Sequence, residues 1–371
     1  MIHRAYKFRF YPSEAQKLSL GQAFGCARFV YNHFLAARSA AWKEHQQGST
    51  YAKDCKALTA LKQEPDKTWL GDVSNIVLQQ SLKHLSQAFQ NFFSGRGRYP
   101  SFKSKHDRQA VTLMRHGFRV KDGQLFLARI DGPVQVRWSR ALPSAPSQAV
   151  VSRDSAGRYF VSFLCEEAVA PLPQVEAVKA IDLGLQSYIV DQHGEKLSPP
   201  KLLVKLLDRV KRAAQALSRK VKGSKNRAKA RRRLARLHAR VGDARQNFTH
   251  QLSASLIREN QAVFAEQLNI KGLIRTRLAR SISDAAWGEL LRQLAYKASW
   301  YGRTFWQAPK NFASSKLCHA CGAKNTELTL SQRRWRCVCG VEHDRDTNAA
   351  RNLLLAGLAA AQFGTAGLAG R

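Results

Sequence analysis

Acidic residues are scarce in this chain. Its 371 residues include 26 Asp and Glu against 61 Lys and Arg, which gives a formal net charge of +35 at pH 7. Because such an excess would repel itself in a free monomer, the composition predicts a large polyanionic partner, and nucleic acid is the usual one. A generic basic protein such as a ribosomal one would be shorter and would lack the acids described below. The sequence also shows no basic amphipathic segment that would anchor the protein at a membrane surface.

Long apolar runs are also absent. The sequence has no stretch of about 18 apolar residues that would predict a transmembrane helix. Residues 1–12 alternate with charge and lack the apolar core of a signal peptide. Three of the seven cysteines, Cys26, Cys55 and Cys165, are scattered without regular spacing. We therefore expect a cytoplasmic protein with no membrane partner, in which clustered cysteines bind metal rather than form disulfides.

The length predicts two to four domains, and the first half of the chain mixes strands with helices. Residues 1–12 alternate as a strand, and Ser13 with Gln16 forms a capping box that opens helical sequence running to about Phe93. Short alternating strands and two hairpin signals then follow, up to Cys165. This pattern predicts a small barrel or curled sheet that includes the first strand, with the helices as an insertion.

The last helix of that insertion has two distinct faces. Its apolar stripe has spacings of 4, 3, 4 and 3 and consists of Leu78, Leu82, Leu85, Phe89 and Phe92. The opposite face carries Gln80, Lys83, Gln87 and Gln90. These side chains suit contact with nucleic acid, and a simply solvated helix face is the alternative. Lys103 and Lys105 follow, in a stretch that mixes cations with an aromatic residue.

Residues 200–260 predict a basic helical hairpin. Two apolar stripes at helical spacing are separated at Gly223 and Ser224, and residues 201–250 hold 17 Lys and Arg against 2 Asp. The first stripe consists of Val204, Leu207, Val210, Ala214, Leu217 and Val221. A dimerising coiled coil is the alternative, but like charges on the flanking positions oppose it. The candidate nucleic-acid ligands near the turn are Lys222, Lys225 and Arg227.

Four cysteines form two close pairs with 15 residues between the pairs: Cys318, Cys321, Cys337 and Cys339. Two knuckles of this kind present four thiolates to a tetrahedral metal, and zinc is the usual one. Because all four positions would be filled, the zinc would be structural. The second pair is C-x-C rather than C-x-x-C, so His319 or His343 is an alternative for one ligand.

Three acids lie where predicted elements begin or end. Asp182 and Glu266 each end an apolar, strand-like run, and Asp346 begins a helix. Carboxylates that converged from such positions would repel one another unless divalent cations lay between them, and Mg²⁺ suits an all-oxygen site. Two such ions can activate water and stabilise the leaving oxygen of a phosphodiester. Taken singly, each acid is also an ordinary turn residue or helix cap.

Together these motifs resemble the TnpB (OrfB) nucleases of bacterial insertion sequences, along nearly the whole chain and in order. Ile181–Ser187 resembles the first RuvC motif and Phe264–Gly272 the second. Cys318–Cys339 followed by Asp344–Ala350 resembles the zinc ribbon and the third motif. Further similar segments are Tyr6–Pro12, Phe24–Asn32 and Gly223–Arg227.

The resemblance implies an RNA-guided DNA endonuclease related to the type V CRISPR effectors. Such a protein binds a guide RNA and cuts double-stranded target DNA at one RuvC-type site. The resemblance also implies that Asp182, Glu266 and Asp346 are the catalytic acids and hold Mg²⁺, with two ions expected. Asp344 and Asp191 are the less favoured acids nearby. We expect a prokaryotic protein that works as a monomer on its RNA.

The expected fold class is α+β multidomain. Its expected parts are a wedge-like β-barrel (1–18 and 98–170), a helical recognition region (19–97), a linker (171–174), an RNase H-like RuvC nuclease that includes the basic hairpin (175–310 and 343–371), and a zinc ribbon inserted in it (311–342).

Two other functions stay open at this point. One is a guided regulator that binds DNA without cutting, as in relatives that have lost catalytic acids, although all three acids are present here. The other is a transposase that joins DNA strands directly, since three-acid RNase H folds also do that. The motif spacing favours the nuclease.

Overall fold

The computed structural model describes residues 1–106, 108–329 and 331–366. The chain divides into two compact units, Met1–Ala168 and Val169–Arg371. Within the described residues no helix has the length and apolar character needed to span a membrane. The last five residues of the predicted nuclease segment 343–371 lie outside the described part.

In the first unit, the residues that the structure describes form a sheet, a separate hairpin and three helices. Its strands are β1 (Ile2–Tyr11), β2 (Gln109–Met114), β3 (Phe118–Lys121), β4 (Gln124–Leu127), β5 (Gln135–Arg137), β6 (Gln148–Arg153) and β7 (Tyr159–Glu167). Its helices are α1 (Glu14–His45), α2 (Tyr51–Leu61) and α3 (Asn75–Phe93), and short 3₁₀ turns cover Thr68–Asp72 and Arg115–Gly117.

The first strand joins the sheet, as predicted. The order is β2-β6-β7-β1-β5, and every neighbouring pair is antiparallel. In the described residues the edge strands β2 and β5 are not paired with each other, so the hydrogen bonds form an open sheet rather than a closed barrel. The reason is that β5 is only three residues long and pairs only with the end of β1. The β3–β4 hairpin reaches the β5 segment through one bridge, Leu125 to Val134.

The helices of this unit begin and pack as their sequence patterns predict. The capping box at α1 is present: the Gln16 amide donates to Ser13 Oγ (3.2 Å), and the Ser13 amide donates to Gln16 Oε1 (3.1 Å). The apolar stripe of α3 is fully buried at Leu78, Leu82 and Leu85. The last residue of the stripe, Phe92, has an exposed side chain.

The described residues of the second unit form a five-stranded sheet, a small ribbon and six helices. Its strands are β8 (Val178–Leu183), β9 (Ile189–Asp191), β10 (Lys196–Leu197), β11 (Ala262–Ala265), β12 (Thr304–Gln307), β13 (Arg334–Arg336) and β14 (Glu342–Asp344). Its helices are α4 (Leu202–Ser218), α5 (Lys225–Glu259), α6 (Ile270–Leu273), α7 (Ala279–Ala285), α8 (Trp287–Tyr301) and α9 (Arg345–Ala366).

The sheet order is β10-β9-β8-β11-β12, with β8, β11 and β12 parallel and the remaining pairs antiparallel. The interior strand β11 is buried along its whole length, as its continuous apolar run requires. On one face Val263 packs in a core with α5 and α8; on the other Phe264 packs with Leu353 of α9. Helix α9 lies so close that a Cβ on Gly357 would come within 2.4 Å of the Phe264 ring.

The basic segment forms an intramolecular hairpin, because α4 and α5 pack on each other. The predicted seam of α4 is wrong at three positions: Val204, Ala214 and Val221 are exposed. Ala213 is buried instead, one residue earlier on the helix surface. Val221 lies past the end of α4, so the helical period no longer governs it.

The predicted linker 171–174 has neither helix nor strand and is tied to the second unit. The Leu172 amide donates to the Tyr301 carbonyl (3.0 Å), and Arg303 Nη2 donates to the Pro173 carbonyl (2.7 Å).

Candidate active site and metal centre

Three carboxylates from distant parts of the sequence approach one another at one edge of the second sheet. Strands β8 and β11 run parallel with Ile181 opposite Ala265, so Asp182, which is still within β8, lies beside Glu266, the first residue after β11. Helix α9 packs on β8 and β11 and carries Asp346 in its first turn.

The electrostatics show that these three acids face one another. The pKa of Asp182 is raised well above its ordinary value, by burial first and then by the charges of Glu266 and Asp346; Arg345 and Arg333 oppose the rise. Burial also raises the pKa of Glu266 to about 7, with a further increase from Asp346 and a decrease from the Leu183 amide. Burial and like charges of this kind both disfavour the ionised form of a carboxyl group.

Arg333, from the ribbon, supplies positive charge to this site. Its Nη1 donates to both carboxylate oxygens of Asp346, at 3.2 and 3.3 Å. The Arg345 amide donates to the Arg333 carbonyl (2.8 Å), which fixes the ribbon segment beside the start of α9. The guanidinium therefore neutralises one of the three acids in the free protein.

The two less favoured acids serve local structure. Asp344 Oδ1 accepts hydrogen bonds from the amides of Asp346 and Thr347 (both 3.1 Å), which makes it the cap of α9, and Lys196 pairs with its Oδ2 (3.0 Å). Burial raises the pKa of Asp344, but the Thr347 amide and Lys196 outweigh it, and the net pKa is lowered. A capping acid of this kind is the ordinary role of Asp at a helix start.

Asp191 is likewise a turn residue. Its Oδ1 accepts from the amides of His193 (3.0 Å) and Glu195 (2.9 Å), and Lys179 lies 3.0 Å from its Oδ2. These partners hold the turn after β9.

The four cysteines converge as predicted. Their sulfurs all lie within 4.8 Å of one another; Cys318 and Cys339 are 3.7 Å apart, and Cys321 and Cys337 are 3.6 Å apart. Four Zn–S bonds of about 2.3 Å in a tetrahedron place the sulfurs roughly 3.8 Å apart. The donor set and its spacing therefore fit zinc, and the C-x-C pair contributes both of its sulfurs.

The two histidines proposed as alternative ligands surround the cluster. His343 Nε2 lies 3.1 Å from Cys318 Sγ, where it can donate to the sulfur, and its ring packs 4.5 Å from that of Trp335. His319 points to α9: its amide donates to Asn348 Oδ1 (3.0 Å). In the described residues the group with metal-ligand spacing consists of the four cysteines alone.

Two asparagines of α9 join the cysteine ribbon to the acid site. Asn348 Nδ2 donates to the Leu317 carbonyl (2.6 Å), and Asn352 Nδ2 donates to the carbonyls of Ser314 and Leu317 (both 2.7 Å). The first cysteine knuckle is thus fixed to the helix that carries Asp346.

The predicted nucleic-acid ligands of the first unit lie mostly in solvent. On α3, Lys83 and Gln87 are exposed and Gln80 is half-buried. Lys103 and Lys105 are exposed in the loop before β2, and Lys103 Nζ lies 3.8 Å above the Tyr31 ring. Lys103 also lines a cavity of about 470 Å³ whose other cationic lining residues are Arg28 and Arg108.

At the hairpin of the second unit the three predicted ligands differ. Lys222 and Lys225 are exposed. Arg227 is turned inward, and its Nη1 donates to the carbonyls of Leu217 (3.1 Å) and Lys220 (2.8 Å). These contacts satisfy open carbonyls at and just after the end of α4, and the role of Arg227 as a nucleic-acid ligand stays a prediction.

Three residues of the site were not predicted from the sequence: Arg333, Asn348 and Asn352. The two asparagines lie four residues apart and so share one face of α9, a signal that was readable in the sequence. No sequence signal distinguished Arg333, because it is one arginine among many in a basic chain.

Three family models match the chain. Residues 162–277 match OrfB of the IS605 type, described as "Probable transposase"; residues 287–353 match "Cas12f1-like, TNB domain"; and residues 1–47 match "Helix-turn-helix domain". In this structure residues 1–47 contain one strand, β1, and one helix of 32 residues, α1.

Relatives and a solved structure agree with these models. "Putative RNA-guided DNA endonuclease" of Streptomyces pristinaespiralis is 46% identical over 367 residues, which cover 98% of this chain and 91% of that protein. "Putative RNA-guided DNA endonuclease InsQ" of Escherichia coli K12 is 30% identical over 391 residues, covering 99% and 96%.

Among solved structures, a chain from "Cryo-EM structure of the Cas12f1-sgRNA-target DNA complex" matches with a TM-score of 0.57 and 14% identity, covering 95% of this chain and 98% of that one. The protein thus has a mixed α+β multidomain fold that resembles Cas12f. On the strength of its two relatives, the chain belongs to the TnpB (OrfB) family of the IS605 type.

Proposed function

We propose that the protein is an RNA-guided DNA endonuclease and that Asp182, Glu266 and Asp346 are its catalytic acids. The observation that carries the proposal is the electrostatic coupling of these carboxylates, which come from three separate segments and raise the pKa of Asp182 together. The names of the family relatives support RNA guidance and DNA as the substrate.

The chemistry follows from the donor set. Three carboxylates would hold Mg²⁺, and a pair of ions there would supply an activated water and stabilise the leaving oxygen of a phosphodiester. The chain's own part is to hold the three acids at one sheet edge through β8, β11 and α9. Arg333 neutralises Asp346 until a cation replaces it, and the capping role of Asp344 favours Asp346 as the third ligand.

The finer fold belongs to the same proposal. The sheet of the second unit has the order β10-β9-β8-β11-β12, in which the unit's first three strands along the chain appear in reverse order, and β8, β11 and β12 are parallel. This arrangement supports an RNase H-like nuclease of the RuvC type with the ribbon inserted in it, and zinc held by the four cysteines would be structural. The wedge-like part, the helical recognition region and the boundaries predicted from the sequence stay proposals.

Guide RNA and duplex target DNA are the proposed partners, with a single protein copy on each RNA in a prokaryotic cytoplasm. Exposed cationic and amide side chains support this: Lys83, Gln87, Lys103, Lys105, Lys222 and Lys225. Contacts to backbone phosphates would position the nucleic acids, whereas pairing to the guide would select the sequence.

Cleavage of a matched duplex tests the proposal. The protein is purified with co-expressed RNA and given DNA that matches the guide, with Mg²⁺. We expect a cut product that Asp182→Ala abolishes while the RNA stays bound. Bound DNA without product under any divalent cation would instead identify a guided regulator. Joined donor ends formed without RNA would identify a strand-transferring transposase.

A further inference from the structure

An aromatic cavity of about 630 Å³ opens in the first unit, where α1 ends, α2 begins and α3 ends. Its aromatic lining consists of Trp42, Tyr51, Phe89, Phe92, Phe93 and Tyr99. Phe93 is 77% exposed and Trp42 is 55% exposed. Clustered exposed rings on a soluble surface usually mark a binding site, because they contribute little to a core.

Some of these rings pack on one another as a fixed wall, and others have faces on which no ring is stacked. Tyr99 meets Phe89 and Phe92 edge to face, with centroids 5.6 and 5.3 Å apart, and Ser39 Oγ lies 2.7 Å from the Tyr99 hydroxyl. Across the described residues, no aromatic ring stacks on Trp42 or Tyr51. The cavity therefore offers pre-positioned aromatic faces to a flat ligand.

A buried cation lies at the floor of this cavity. Arg38 is 9% exposed, and its Nε and Nη2 donate to Asp54 Oδ2 at 2.8 and 2.5 Å. Ser49 Oγ donates to the other carboxylate oxygen (2.6 Å). The third nitrogen of the guanidinium, Nη1, takes no part in these two contacts with Asp54. A ligand that combines a flat ring with a hydrogen-bond acceptor would satisfy this donor.

The rim is positively charged. The exposed loop between Phe93 and Tyr99 carries Arg96 and Arg98. A second copy of a chain with a net charge of +35 would meet repulsion here. A ligand that consists of a flat ring attached to phosphates fits all three parts of the cavity. Its phosphates would be attracted to the cations of the rim, its ring would stack on the aromatic walls, and an acceptor on the ring would bind the Arg38 donor at the floor.

We propose that this cavity stacks an unpaired base of the guide RNA. The inference rests on the proposed function, since it assumes that a guide RNA is bound. RNA is favoured over DNA because the loops and bulges of a folded RNA present unpaired bases that stack on aromatic side chains, whereas target DNA is paired before its strands separate. Trp42 and Phe93 are the stacking residues, and Arg38 is the donor to the base edge.

Ultraviolet cross-linking of the RNA-bound protein tests the inference. Peptides that contain Trp42 or Phe93 are expected to carry ribonucleotide adducts by mass spectrometry. In a binding titration with the co-purified RNA, the Trp42→Ala/Phe93→Ala double variant should bind about tenfold more weakly, as for the loss of a base–aromatic stack. Phe93→Tyr should bind normally. Tyr11→Ala is the matched control, because Tyr11 is 47% exposed in the same unit and does not line the cavity.

Three results would overturn the inference. Adducts at the cavity that contain only deoxyribonucleotides would assign it to DNA, and a double variant that lost self-association of the RNA-free protein at unchanged RNA affinity would assign it to a second copy. Unchanged RNA affinity without adducts would leave the cavity without a base. If guided cleavage persisted in the last case, the proposed function would be retained without the base-stacking inference. If the wild-type protein bound no RNA, the proposed function and the inference would both be refuted.

Discussion

The four cysteines and the three acids lie in one unit, share α9 as a support, and are organised in opposite ways. The cysteine sulfurs already have the 3.6–3.7 Å spacing of a metal tetrahedron. Burial and the charges of Glu266 and Asp346 raise the pKa of Asp182, burial and Asp346 raise the pKa of Glu266, and Arg333 holds Asp346. Thiols can be packed together while they are protonated, whereas adjacent carboxylates repel one another unless a proton or a cation lies between them. The cysteine cluster is therefore a structural part of the fold, whereas the acid site is the one for which we propose bound cations.

The largest expected effect separates the two acids of the Asp344–Asp346 segment. Asp346→Asn should reduce guided cleavage by a factor on the order of 10³ or more, because it removes a proposed metal ligand. Asp344→Asn should keep most of the activity, since Asn is also a good helix cap. The measurement is single-turnover cleavage of a matched duplex in excess Mg²⁺.

Melting temperatures of both variants provide the control for folding. The assignment of Asp346 would be reversed if Asp344→Asn lost cleavage while Asp346→Asn retained it with both proteins folded.

Loss of a cysteine ligand is the second test, on the opposite side of the comparison. Cys321→Ser should lose its zinc and destabilise the ribbon by several kcal/mol, because binding of a structural zinc contributes directly to folding. Metal analysis and limited proteolysis of residues 311–342 give the readouts. Cys55→Ser is the matched control, as Cys55 is half-buried outside the cluster.

The same experiment decides the part played by His343. Its contact with Cys318 Sγ predicts that His343→Ala retains zinc but binds it about 10–100-fold more weakly, as for loss of an outer hydrogen bond. Stoichiometric zinc in Cys321→Ser together with none in His343→Ala would make the histidine a ligand and refute the four-cysteine site.

Elements with a strong local signal were predictable from the sequence. The capping box at Ser13, both predicted strand hairpins and the basic helical hairpin follow from patterns within about 20–50 residues. The meeting of Asp182, Glu266 and Asp346 was an inference from element ends, and motif resemblance strengthened it. What the sequence did not reveal depends on tertiary partners: Arg227 caps α4 instead of facing solvent, and the sheet of the first unit stays open because β5 is short.

The smallest expected effect concerns pH, and it tests whether the acid site is strained without its ions. Glu266 has a pKa of about 7 in the folded protein against an ordinary 4.5, so the folded state binds more protons between these values. The stability that this proton contributes is fully present below about pH 4.5 and is lost as pH rises through about 7. The loss should be on the order of 1 kcal/mol or more for this partly buried group.

In buffer without added divalent cations, the wild-type melting temperature should therefore fall more steeply over this range than that of Glu266→Gln. Added Mg²⁺ should restore stability at neutral pH in the wild type and restore less in the variant, because cation binding offsets the repulsion that the substitution removes. Parallel pH profiles for the two proteins would show that Glu266 is not strained, and the contrast with the cysteine cluster would then rest on Asp182 alone.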